Sequence, residues 1–183
     1  MARVFYVLRY TGGPEVLEVG PFPPSSWYFD EDLSEPLPTV TVVLSTIDGV
    51  VDLTRAGAYD YASRRMVDTV RKVGEVHFEE HPLVLCDLIG RNPPAPFAIF
   101  RFRRWTTCLD LNKSEYRRDE DGNIHQIRRV VLDHDRIPAD RHFFQLQERF
   151  TTYVASEAFV DAWNAAGLTG VEFICTDRIN YWF

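Results

Sequence analysis

The spacing of apolar residues along this chain switches between two rhythms, and the switches mark its elements. Arg3 to Tyr10 is dense in β-branched and aromatic residues and runs into Thr11-Gly12-Gly13-Pro14, which predicts an opening strand and its turn. Val40 to Ile47 predicts a second strand, closed by Asp48-Gly49. At Ser63 the rhythm becomes helical. Met66, Val67, Val70 and Val73 fall on one face, Ser63 is placed to cap the first turn, and Gly74 stops the last. Glu75 to Phe78 and Leu83 to Leu85 read as short extended pieces, broken at Pro82. Phe100 and Phe102 alternate with Arg101 and Arg103, the pattern of a strand with one face in water.

The last third is the most orderly. Within Cys108 to Tyr116, Asp110 or Asn112 is placed to cap a single turn. The turn Asp121-Gly122-Asn123 leads into an alternating run, Ile124 to Leu132, and then the corner Ile137-Pro138. Phe143 to Leu146 and Thr151 to Ala155 predict two short strands. A helix from Ser156 to Ala166 follows, stopped by Gly167, and Leu168 to Phe173 predicts a closing strand. Two segments break the pattern. Gly20 to Pro38 carries Pro21, Pro23, Pro24, Pro36 and Pro38, which remove donors and fix φ, so it predicts a covering loop instead of sheet. Its Phe22, Trp27, Tyr28 and Phe29 suggest that it packs onto the body. Arg91-Asn92-Pro93-Pro94-Ala95-Pro96 divides the chain into halves, neither of which reaches a comfortable size alone, so it reads as a loop within one domain, 1–183. Strands and helices mix without regular alternation. The expected class is α+β, a mostly antiparallel sheet with two or three packed helices.

Composition narrows the function. With 183 residues, 45% hydrophobic and 14% aromatic, the chain has ample material for a core. Its net charge of −7 argues against a general affinity for nucleic acid or an anionic membrane, and suits a basic partner drawn in by steering. Cys86, Cys108 and Cys175 are odd in number, widely spaced and set among apolar residues, which predicts buried thiols in a reducing compartment. The start of the chain lacks the pattern of a signal peptide, and no apolar run approaches the roughly 18 residues of a membrane span. A soluble, cytoplasmic protein is expected.

Candidate chemistry is thin. His77 and His81 stand four apart around Glu79 and Glu80. Pro82 disfavours a helix there, and on a strand the two rings sit roughly 13 Å apart, too far for one ion. Asp133-His134-Asp135, with His142 nearby, reads as a polar turn, since neighbours on a strand face opposite ways. No cysteine has a basic neighbour or a helix N-terminus to activate it. Gly12-Gly13 is followed by proline, which rules out a phosphate loop. The pairs Arg64-Arg65, Arg103-Arg104, Arg117-Arg118 and Arg128-Arg129 are interleaved with acids and predict ion-paired, solvated edges. The tail Tyr181-Trp182-Phe183 is expected to tuck against the body. No catalytic residue, metal ligand or cofactor site is assigned.

The order of several strings carries more information. These are Ser63-Arg64-Arg65-Met66-Val67-Asp68, Leu109-Asp110 with Ser114, and Val130-Val131-Leu132-Asp133 with Ile137-Pro138. Phe143-Phe144, Val154-Ala155-Ser156-Glu157 and Gly167 to Phe173 complete the set. In this arrangement the chain resembles immunity family eleven of the bacterial polymorphic-toxin systems, first catalogued as a domain of unknown function. The resemblance is good over residues 40–174, most of its motifs lie in 96–183, and 1–95 is more divergent. Gly20 to Pro38 looks particular to this chain, and Thr151-Thr152-Tyr153 replaces the usual residues before the helix start.

The resemblance implies a cytoplasmic protein that binds one cognate toxin and blocks it by occlusion, without chemistry of its own. Charge alone makes a basic nuclease the expected toxin. Two other classes stay open: a binding or scaffold module with another partner, and a hydrolase or metalloenzyme in which Asp133, His134, His142 or the His77/His81 pair converge. Contact surfaces of such proteins diversify, so the expected partner-binding residues lie outside the shared strings, in Trp27, Asp30, Glu31 and Asp32 and in the hairpin tip Asp119, Glu120 and Asp121.

Overall fold

The structure, a computed structural model, describes residues 3–21, 39–56, 59–74, 77–102 and 105–176. Five strands open the described chain: β1 (Phe5–Tyr10), β2 (Val16–Gly20), β3 (Val40–Leu44), β4 (Leu53–Ala56) and β5 (Tyr59–Ser63). Helix α1 (Arg64–Lys72) follows. Next come β6 (Phe78–Asp87), β7 (Phe97–Phe102), β8 (Glu115–Arg118), β9 (Ile124–Arg129), β10 (Phe143–Gln145) and β11 (Tyr153–Ser156). Helix α2 (Glu157–Ala165) and β12 (Val171–Cys175) close the order. The class is α+β with strands dominant.

Strands β10-β11-β1-β12 form one antiparallel sheet, and β2-β3-β6-β7-β5-β4 a second, in which only β3 and β6 run parallel. Strands β8 and β9 pair as a separate hairpin. The two larger sheets meet across a shared core. Leu8, Phe143, Tyr153 and Ala155 of the first pack with Leu53, Ala62, Phe100 and Phe102 of the second, and with Met66, Val67 and Val70 of α1 and Phe159 and Trp163 of α2. Phe143 and Phe159 stack with centroids 4.5 Å apart and planes at 5°. The opposite face of the first sheet, through Phe5, Val7, Phe144 and Val154, is covered by Ile124 and Ile127 of the hairpin with Leu109, Leu132 and Ile137. Alternation places these residues: on β1, Phe5 and Val7 face the hairpin while Leu8 joins the shared core.

Both helices start where their caps predict. Ser63 Oγ accepts from Met66 N at 3.2 Å and Ser156 Oγ from Phe159 N at 3.3 Å. Gly74 and Gly167, at φ of +88° and +60°, end them in the left-handed region.

Four expectations are corrected. Pro82 does not break the chain into two pieces; β6 runs through it. Pairing with β3 begins only at Leu83, so the missing donor falls where β6 has one neighbour. Arg101 does not face water. It is buried because it pairs in register with Glu79 on β6, donating from Nε at 2.8 Å and bridging from Nη2 at 2.7 Å. The alternating run from Ile124 forms a strand only to Arg129, after which Leu132 makes a lone bridge to Leu109. The closing strand begins at Val171, not Leu168, because Thr169 bonds to Asp52 and Leu53 at the start of β4, and Gly170, whose carbonyl accepts from Thr11 N, has φ of +106°. The loop Arg91–Pro96 joins neighbouring strands of one sheet. Strands β4 and β5, which no sequence pattern announced, supply the polar centre of the molecule.

Candidate functional site

Strand β5 is buried along its whole length, so its residues are enclosed on both faces and the strand shows no polar alternation. Tyr59 and Tyr61 pack with Val40, Val42 and Ile99. Asp60, two per cent exposed, points the other way into the seam between the sheets. There Arg55, its register partner on β4, donates Nε to Oδ1 at 2.9 Å and Nη2 to Oδ2 at 3.1 Å. Tyr10 donates its hydroxyl to Oδ1 and Tyr153 its hydroxyl to Oδ2. Each carboxylate oxygen thus accepts two donors, which fills its lone pairs. The Arg55 guanidinium also lies over the Tyr10 and Tyr153 rings at 5.1 and 5.0 Å. Gln145 Nε2 donates to the Tyr153 hydroxyl at 2.9 Å and to the Phe150 carbonyl at 2.7 Å.

Electrostatics follow this geometry. Burial, then the Asp60 charge, pushes both tyrosine hydroxyls well above their ordinary range. Burial pulls Arg55 down, but the Asp60 carboxylate outweighs it and the guanidinium is held more firmly charged. A saturated carboxylate enclosed by aromatic rings has no lone pair left for proton transfer. Its chemistry is structural: it ties β1 and β11 of one sheet to β4 and β5 of the other.

Asp52 does similar work at the helix ends. It accepts from Ser63 Oγ at 2.6 Å, from Thr169 N at 3.0 Å and from Thr169 Oγ1 at 3.2 Å, while Arg65 lies 3.7 Å away. A pocket of about 210 Å³ opens beside α1, lined by Arg64, Val67, Glu80, His81, Pro82 and Phe97. Its Glu80 is bridged by Arg64 at 3.0 Å and by Arg71.

The residues singled out in the sequence are dispersed. His77 Nε2 is 4.0 Å from Asp140, and His81 Nε2 is 3.5 Å from Glu79 on its own strand. Asp133 caps a short 3-10 turn, accepting from Asp135 N at 3.2 Å, and His134 packs edge-on to Phe5 at 5.4 Å. His142 Nδ1 meets the α2 cap at Ser156 Oγ, 2.9 Å away. Among the described residues, no three His, Cys, Asp or Glu are grouped to hold a metal ion. All three cysteines are free thiols. Cys108 is buried and pushed up to about 12 by that burial and by Glu148 and Asp133. Cys86 and Cys175 are only half-buried, a correction to the expectation of three core thiols: Cys86 alternates with the buried Leu85 and Asp87 on β6, and Cys175 ends β12, a strand with no fully buried position.

Of the basic pairs, Arg64 bonds Glu80, Arg65 approaches Asp52, Arg128 meets Glu115 at 3.1 Å, and Arg118 donates to the Gly122 carbonyl. Asp110 holds the expected single turn, accepting from Asn112 N and Lys113 N at 3.1 and 3.2 Å. Asp119, Glu120 and Asp121 are exposed at the tip joining β8 to β9. Asp119 orders the tip, accepting from Asn123 N at 2.8 Å. Trp27, Asp30, Glu31, Asp32, the pair Arg103-Arg104 and the tail Tyr181-Trp182-Phe183 lie outside the described residues.

Sequence reasoning missed Asp60, Asp52 and Tyr153. The available signal was Tyr59-Asp60-Tyr61, an acid between aromatics on a strand without polar alternation. Arg55 stands five positions away across a strand pair the sequence did not announce, and the tyrosine partners stand 50 and 93 positions away, beyond any local pattern.

These observations describe a strand-rich α+β protein whose buried polar groups act as struts between elements. The family model for an immunity protein family, Imm11, matches residues 12–177, and the chain belongs to that family. The match reaches further toward the N-terminus than the 40–174 expected from the shared strings. No curated protein matches the chain. Among the described residues no helix is long and apolar enough to cross a membrane.

Proposed function

We propose that this chain binds one cognate toxin domain of a bacterial polymorphic-toxin system and neutralises it in the cytoplasm of the cell that makes both. Neutralisation is by occlusion of the toxin and requires no catalysis by this chain. The observation that carries the reading is the family match over residues 12–177. The saturated Asp60 cluster supports it, since this buried charge centre is closed to substrate and works as a strut.

With a net charge of −7, the partner is a basic domain such as a nuclease, whose approach the field would speed. Its contacts include the acidic tip Asp119, Glu120 and Asp121 and the acidic, aromatic stretch with Trp27, Asp30, Glu31 and Asp32. The tip suits the role because it is exposed while Ile124 and Ile127 root the hairpin in the core. The test is expression, with and without this chain, of the C-terminal domain of any large toxin-like protein encoded beside it. Rescue of growth with a co-purifying complex is expected. A toxic neighbour that this chain neither binds nor restrains would overturn the reading for that pair.

A further inference from the structure

Between β6 and β7 the chain turns through Leu88-Ile89-Gly90-Arg91, and the two aliphatic side chains are 69% and 79% exposed. They are the most exposed large apolar residues among those described. Nothing in the turn requires them. Its geometry comes from Asp87, whose Oδ1 accepts from Ile89 N at 3.1 Å and Arg91 N at 2.9 Å, and whose Oδ2 accepts from Arg91 Nε at 2.7 Å. Backbone bonds from Asp87 N to the Arg91 carbonyl and from Gly90 N to the Asp87 carbonyl, both 2.9 Å, close it. Gly90 supplies the left-handed step at φ of +80°. Asn92 Nδ2 donates to the Leu85 carbonyl at 2.8 Å and holds the exit. Polar residues at positions 88 and 89 would satisfy every one of these bonds, and turns ordinarily carry them.

The result is a stiff turn that presents two aliphatic side chains to solvent, ordered before any partner arrives, so that little conformational entropy is lost on docking. Its surroundings define the partner. Arg91 is neutralised by Asp87 and lies 3.7 Å from Asp48, whose carboxylate is 81% exposed. The net charge beside the apolar pair is therefore negative, in a chain that is itself −7. A second copy would set Asp48 against Asp48, whereas a basic domain with an apolar hollow matches both the shape and the sign.

We infer that Leu88 and Ile89, held by Asp87, are the apolar anchor with which this chain docks into its toxin domain, with Asp48 meeting a basic rim. This rests on the immunity reading above and adds to it the surface used. The test measures binding of the purified full chain to the neighbouring toxin domain, made as an inactive variant, alongside the double substitution Leu88→Asp/Ile89→Asp and the milder Leu88→Ala/Ile89→Ala.

Both variants are expected to keep the melting temperature of the parent, since neither side chain is buried. The aspartate pair is expected to weaken binding more than roughly 10-fold and the alanine pair by less, with a faster dissociation rate in each. Tight binding by the parent and equally tight binding by both folded variants overturns the inference while leaving the immunity reading intact. Self-association that the substitutions abolish, with toxin binding unchanged, overturns it in favour of a second copy. Failure of the parent to bind at all removes the immunity reading for that pair, and the inference with it.

Discussion

Tyr153 on β11 donates its hydroxyl to Asp60 on β5, 93 positions earlier, and this bond crosses the seam between the two sheets. Removing the carboxylate leaves Arg55 and two buried hydroxyls without their acceptor. Asp60→Ala is expected to cost about 3–5 kcal/mol, the scale of breaking a buried ion pair from one side. Tyr153→Phe keeps the ring packing but deletes one donor, and should cost about 1–3 kcal/mol. Urea melts of both variants check the order. A loss for Asp60→Ala no larger than that for Tyr153→Phe would contradict the strut role.

The same cluster sets an alkaline limit. Tyr10 and Tyr153 are raised well above 10.0 by burial and by Asp60, so the folded state binds those protons more tightly than the unfolded chain. Their contribution is full below pH 10.0 and is lost as pH rises beyond it toward the folded values. Ultraviolet titration of tyrosinate is expected to show these two ionising last, together with unfolding. Tyr153→Phe should remove one of the late protons. Early, reversible ionisation of all tyrosines would refute the arrangement.

Gly170 faces the backbone of β4 at a distance no side chain tolerates. A Cβ there would lie 2.1 Å from the Leu53 carbonyl oxygen and 2.8 Å from Val51 Cγ2, and φ is +106°. Gly170→Ala is expected to cost at least the ~1–3 kcal/mol of a strained backbone, plus the displacement of Leu53. Gly49→Ala, also at positive φ but with open space around the Cβ, is the control and should cost less. Equal melting temperatures for the two variants would show that the close approach is relaxed in solution.

In the turn after β6, burial raises Asp87, but the donors from Arg91 and Ile89 outweigh it and hold the carboxyl below its ordinary 3.8. A depressed carboxylate stabilises the fold fully above the unfolded value, and that contribution fades as pH falls below about 3.8 through the folded value. Hydrogen exchange of the Ile89 and Arg91 amides should therefore be slow at neutral pH, once corrected for intrinsic rates, and lose protection in that acid window. Asp87→Ala is expected to remove the protection at all pH values.

For the hairpin tip, reversal of Glu120 and Asp121 to lysine, with Asp119 kept to hold Asn123 N, is expected to leave the melting temperature within a few degrees of the parent, because both are exposed. Association with a basic toxin domain should slow by roughly 10-fold at low salt, and the difference should shrink as salt rises. Unchanged association rates would remove the tip from the interface.

Local chemistry was readable wherever one residue answers to its near neighbours. Ser63 and Ser156 announced both helix starts, Gly74 and Gly167 both ends, and the pair Asp110 and Asn112 a single turn, of which Asp110 proved the cap, because caps and left-handed glycines act within four residues. The α+β class followed from the mixing of periods. The acidic tip at Asp119 to Asp121 was likewise placed by its turn residues.

What failed was reading that stopped at one strand. Arg101 looked wet until Glu79 appeared beside it, and Pro82 looked like a break until the neighbour missing from its side of β6 was known. The sequence by itself thus determined both helices with their caps, most of the strands though not β4 and β5, and the family, since these depend on period and on short-range bonding. Only the tertiary structure decided that Asp60 and Asp52 would be struts and that Leu88 and Ile89 would stand in solvent. Burial and pairing across 50 to 117 positions depend on how the sheets meet, and no local pattern carries that.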